Sequence, residues 1–91
     1  MQWLEIEDQG LVLVDRIVAV GASDSAPVRR LIATLPLTKV VSLTGGRRRR
    51  TVIVLDSDHV VLTALSVTQV RLLIAQAQSV HAGTWVQGAN K

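Results

Sequence analysis

Three short runs, Ile17 to Val20, Val52 to Leu55 and Val60 to Leu65, are apolar with almost no alternation. A strand with one wet face alternates apolar and polar side chains, whereas a run apolar at successive positions is packed on both sides. The chain must therefore find cover for two faces of a sheet. Its 91 residues suffice for one small core, with a modest share of the surface buried. Two short helices can cover one face, and the other is assigned to a second copy of the chain. The fold class expected is α+β: a small, mostly antiparallel β-sheet with two short helices, its open face buried in a homo-oligomer. A bare face would be an unusually large apolar patch for a monomer.

The remaining segments fit that class. Trp3 to Glu7 alternates at period two, Asp8-Gln9-Gly10 is a turn, and Leu11 to Val14 is a second strand. Asp15-Arg16 interrupts the pattern before Ile17 resumes it, as one bent strand or two short ones. Ser25 offers an N-cap oxygen and Pro27 a first-turn residue, and Val28, Leu31, Ile32 and Leu35 form one helical face. Arg29 and Arg30 fall off that face, and Pro36 ends the helix. Ser66 and Gln69 stand at capping-box spacing before a stripe of Val70, Leu73, Ile74 and Ala77 that runs to about Val80. Residues 1–80 thus read as a single domain and 81–91, with Gly83 and Gly88, as a flexible C-terminal tail. Trp3 and Trp85 read as packing or interface residues.

Between the strands Val40 to Leu43 and Arg50 to Leu55 lies Thr44-Gly45-Gly46-Arg47-Arg48-Arg49-Arg50. Gly-Gly is turn chemistry, so the arginines are expected at the mouth of a β-hairpin. A guanidinium stays charged at any relevant pH and presents a planar fork of donors suited to phosphate. The run is not a Walker loop, because it lacks the Lys-Ser/Thr ending and opens no helix. Charge is unevenly spread along the chain. Residues 1–15 hold Glu5, Glu7, Asp8 and Asp15 with no base, and residues 16–50 hold eight bases against Asp24, or +7. Such a basic block is the footprint of a polyanion site. With no Phe or Tyr and only two Trp, the base-stacking platforms of single-strand readers are missing. Duplex DNA, held by its backbone, is the expected partner.

The chain has no cysteine, which excludes disulfides and thiolate metal sites. Its N-terminus has neither a basic nor an apolar leader region, and no apolar run approaches a membrane span. A soluble, cytoplasmic, nucleoid-associated protein is expected, with no membrane partner, no small-molecule substrate and no cofactor. Asp56-Ser57-Asp58-His59 admits a metal-dependent hydrolytic reading. The preferred reading is a tight turn between two strands, with Asx side chains closing it, and no nucleophile–base–orienter trio can be assembled around it. Arg16 reads either as a bulge residue paired to Asp15 or another carboxylate, or as a further ligand-facing arginine.

Three blocks together resemble the RemA family (RemA/RemB-like) of small bacterial regulators of biofilm-matrix genes. They are Ser25-Ala26-Pro27-Val28-Arg29-Arg30-Leu31-Ile32, then Thr44 with Gly46, Arg47, Arg48 and Arg50, then Asp56-Ser57-Asp58-His59-Val60 through Ala64. The likeness covers roughly residues 11–75, with Arg49 where the family usually has Thr. It implies an α+β subunit assembling into a ring, with DNA wrapped on or around it. It also implies DNA contacts at Arg47, Arg48 and Arg16, and a structural use for the Asp-Ser-Asp-His block. The leading expectation is a non-enzymatic, oligomeric, DNA-binding transcriptional regulator or nucleoid-like protein. Arg16, Arg47 and Arg48 would touch phosphates, and Arg49, Arg50, Arg29 and Arg30 would add field or secondary contacts. The alternative is a homo-oligomeric structural protein whose arginines dock an acidic protein partner.

Overall fold

The computed structural model describes residues 2–89, with side chains through Gln78. Two strands, β1 (Trp3–Ile6) and β2 (Gly10–Leu13), form an antiparallel hairpin. A 3-10 turn over Val14–Arg16 leads into β3 (Ile17–Ala22), helix α1 (Ala26–Thr34) and a second 3-10 turn over Leu37–Lys39. Strands β4 (Val40–Leu43), β5 (Thr51–Leu55) and β6 (Val60–Thr63) follow, and α2 (Val67–Ala89) closes the chain. The main sheet has the order β3-β5-β6-β4, antiparallel except for the β4–β6 pair, which is parallel.

The apolar strands are indeed packed on both faces. On one, Ile53 and Val61 are buried with Leu4 and Ile6 of β1, Val12 of β2, Val14 and Val70 of α2. On the other, Val52, Val60 and Leu62 pack against Val28, Leu31, Ile32 and Leu35, all from α1 or its end. Successive residues of β5 thus serve opposite cores, as the pleat requires. The hairpin is a separate layer: Leu4 and Ile6 point inward while Trp3, Glu5 and Glu7 face outward.

This corrects the inference from burial. The second sheet face is covered by the chain's own β1–β2 hairpin together with α2, so burial of that face requires no second copy. Trp3, 55 % exposed, is not a core residue. Nor are both helices short, since α2 continues past Val80 to Ala89. A single glycine such as Gly83 weakens a helix by about 1 kcal/mol without ending it. Of the segment read as a tail, residues 90–91 lie outside the described residues.

Both helix starts follow the expected chemistry. Val28 N–H donates to Ser25 Oγ at 3.4 Å at the head of α1. At α2 the capping box is reciprocal: Ser66 N–H donates to Gln69 Oε1 at 2.8 Å, and Gln69 N–H to Ser66 Oγ at 3.1 Å. No helix among the described residues is long and apolar enough to cross a membrane.

Candidate polyanion site: an arginine loop across the sheet end

The arginines are not at a hairpin mouth. Strands β4 and β5 lie on either side of β6, so the chain from Thr44 to Arg50 must span two strand spacings, about 10 Å. The Gly-Gly turn is real: Arg47 N–H donates to Thr44 O at 3.2 Å, with φ of +66° at Gly45 and +83° at Gly46. It turns the chain above the sheet end, and Arg48 to Arg50 carry it over the end of β6 to β5. Gly-Gly between two strands signals a turn without naming the strand that follows as a neighbour.

The loop is pinned by its backbone. Arg50 N–H donates to Thr63 O at 2.8 Å, and Arg50 O accepts from Ser23 N–H at 3.0 Å. Ser23 Oγ–H donates to Arg49 O at 3.1 Å. Beneath it, Thr51 and Thr63 are fully buried. Thr51 Oγ1–H donates to Leu65 O at 2.6 Å, and Thr63 Oγ1 accepts from Leu65 N–H at 3.1 Å. Buried hydroxyls so paired fix the chain direction at little cost. Arg48, Arg49 and Arg50 border a groove of about 420 Å³ whose other walls are Ala22, Ser23, Asp24, Ser66 and Val67.

The guanidiniums differ in what they touch. Arg47 donates from Nε to Thr44 O at 3.2 Å and from a terminal nitrogen to the Glu7 carboxylate. Arg16 donates from one terminal nitrogen to both oxygens of Asp56, at 3.2 and 3.3 Å. Among the described residues those are the two ion pairs, and Arg48, Arg49 and Arg50 have no carboxylate partner. Arg29 and Arg30 are exposed on α1.

Arg16 does not join the loop within one chain. Ile17 pairs with Leu55 and Ala22 with Thr51, so Arg16 and Arg50 stand at opposite ends of the sheet. Six strand residues separate those ends, about 20 Å. The carboxylate paired to Arg16 is Asp56, not Asp15. Sequence reasoning also missed Glu7 and Ser23, and read Ser66 as a helix cap without placing it in the groove wall. Glu7 and Arg47 are 40 residues apart, as are Arg16 and Asp56, and only the topology brings each pair together.

The Asp-Ser-Asp-His block is a turn. Asp58 N–H donates to Leu55 O at 3.1 Å and Leu55 N–H to His59 O at 2.9 Å. Asp58 takes the left-handed position with φ of +69°, one that Asp tolerates. Ser57 Oγ lies 2.8 Å from His59 Nδ1. Asp56 pairs with Arg16 and Asp58 occupies the left-handed position of the turn, and no metal-ligand cluster occurs among the described residues.

Comparison with known proteins supplies the family. The family model described as RemA-like, extracellular matrix regulatory protein A-like, matches residues 3–72. It therefore includes β1, which the motif resemblance left out. A regulatory protein of Heliobacterium modesticaldum is 39 % identical over 74 residues, 80 % of this chain and 81 % of that one. One from Geobacillus kaustophilus is 39 % identical over 66 residues, covering 71 % and 76 % respectively. Another, from Rippkaea orientalis, is 33 % identical over 85 residues, covering 92 % and 96 %. A match that runs through the whole of both sheets and into α2 shows that the chain belongs to the RemA-like family of regulatory proteins.

Proposed function

We propose that the protein is an oligomeric DNA-binding transcriptional regulator or nucleoid-like protein that holds duplex phosphates with its arginine loop. The observation that carries this reading is the state of Arg48, Arg49 and Arg50: three guanidiniums without a carboxylate partner, beside one groove, on backbone bonded to β6 and to Ser23. With the backbone already fixed, binding a phosphate chain has only the arginine side chains left to order. Arg47 and Arg16 join once phosphate replaces Glu7 and Asp56, and Arg29 and Arg30 add to the field. Phosphate contacts set register but carry no base information, so site choice comes from duplex shape and bending.

Self-association belongs to the same proposal. Leu11, 56 % exposed, and Val41, 41 % exposed, border an open apolar cleft between the hairpin and the sheet, which suits contact with a second copy. Repetition of the loop in an assembly, as in a ring, multiplies weak phosphate contacts into useful affinity. Since Arg16 lies at the far sheet end, it would meet a different stretch of the duplex. The place of action is the cytoplasm, on the nucleoid.

An electrophoretic mobility-shift series tests the reading. Arg48→Ala/Arg49→Ala/Arg50→Ala is expected to abolish the shift at physiological salt with an unchanged circular-dichroism spectrum, while Arg29→Ala/Arg30→Ala weakens it by a few-fold. A triple variant that shifts duplex like the parent would exclude the loop as the site.

A further inference from the structure

The turn joining β1 and β2 presses on the arginine loop. A Cβ built on Gly45 would lie 2.7 Å from Gln9 Nε2, so Gln9 and Gly45 are in close contact. Beside them Glu7, the first residue of that turn, engages Arg47. Glu7 has φ of +51°, a left-handed conformation that favours glycine and, after it, Asn or Asp. The turn is closed by Gln9 N–H donating to Ile6 O at 2.9 Å, and turns with positive φ at this position ordinarily take glycine. A residue that could lie more easily elsewhere is held in a costly conformation, with its carboxylate on one of the loop's guanidiniums. Retained backbone strain beside a binding surface is a reason to look for a role.

Arg47 is the member of the run so engaged. Its Nε–H is committed to Thr44 O and one terminal nitrogen to Glu7. We propose that Glu7 is an intramolecular latch, its carboxylate occupying the Arg47 donors that a phosphate takes. The protein at rest offers Arg48, Arg49 and Arg50, and adds Arg47 only when a polyanion displaces the carboxylate. The pair suits that use. Its side chains are 55 % and 33 % exposed, and ion pairs in such settings are worth about two- to fivefold in an equilibrium constant. That is weak enough for a chain of phosphates to exchange, and it lowers the affinity of Arg47 for an isolated anion by the same factor. A carboxylate left beside a bound phosphate also repels it, which adds to the penalty.

The inference rests on the arginine loop as the polyanion site, and the test separates the two. Affinity for a labelled duplex and elution from immobilised heparin are measured for the parent, Glu7→Gln, Arg47→Ala and Glu7→Gln/Arg47→Ala, with Glu5→Gln as a control of equal charge. Glutamine keeps a hydrogen-bond acceptor for Arg47 while removing the charge. Glu7→Gln is expected to bind duplex about three- to tenfold more tightly, with a log–log salt slope steeper by about one unit, and to elute from heparin at higher salt. Glu5→Gln should gain clearly less. In the Arg47→Ala background the Glu7→Gln gain should fall to that of Glu5→Gln. Parental or weaker binding by Glu7→Gln on both matrices, while duplex binding itself persists, would overturn the latch and leave the loop reading intact. A heparin gain that depends on Arg47, with duplex ignored by every variant, would uphold the latch and remove DNA as the partner.

Discussion

Glu7 illustrates how a single backbone angle constrains interpretation. Its φ of +51° stores strain of about 1 kcal/mol, and its exposed ion pair returns less than that. Glu7→Gly should therefore raise stability by up to about 0.8 kcal/mol, seen as a higher midpoint in urea unfolding; a lower midpoint would show the ion pair to outweigh the strain. Ser66 is the reverse case, a residue whose hydrogen bonds were readable from four letters. Ser66-Val67-Thr68-Gln69 announces a capping box, and the reciprocal bonds are present. Ser66→Ala should cost about 1 kcal/mol in the same assay. The difference in legibility is physical: a cap is local, whereas the Glu7–Arg47 and Arg16–Asp56 pairs join residues 40 apart. No spacing rule reaches that far.

At the scale of elements, the Gly-Gly turn was legible and its neighbours were not. The two positive φ angles at Gly45 and Gly46 follow from residue type. The strand that separates β4 from β5 follows only from pairing, because β4 runs parallel to β6. A crossing loop holds its arginines along the sheet end, with Arg48 to Arg50 beside the head of α2, rather than at the tip of two paired strands. Contact between β3 and α1 supplies a separate check. A Cβ on Gly21 would meet Val28 Cγ2 at 2.8 Å, so Gly21→Ala must displace the Val28 side chain and strain the packing of α1 on the sheet. Overpacking of this kind costs about 1–3 kcal/mol, and the unfolding midpoint should fall accordingly; an unchanged midpoint would mean that α1 sits loosely on its face.

For the molecule as a whole, the apolar strands foretold two buried faces correctly and misassigned the cover for one. Leu4 and Ile6, and likewise Val12 and Val14, alternate as in a hairpin with one buried side, the signature of a layer laid over the sheet rather than of strands within it. Self-association then depends on what remains outside, Leu11 and Val41 above all. Leu11→Asp/Val41→Asp is expected to yield a folded species of lower mass by native mass spectrometry, because charge on both sides of the cleft opposes apolar contact. An assembly of parental mass would move the interface elsewhere. The central claim, that the pinned arginine loop holds duplex phosphates, is tested most directly by the salt dependence of duplex affinity in the parent and in Arg48→Ala/Arg49→Ala. The account predicts weaker binding and a log–log slope shallower by about two units for each subunit engaged. Equal affinity and equal slope in the two proteins would contradict it.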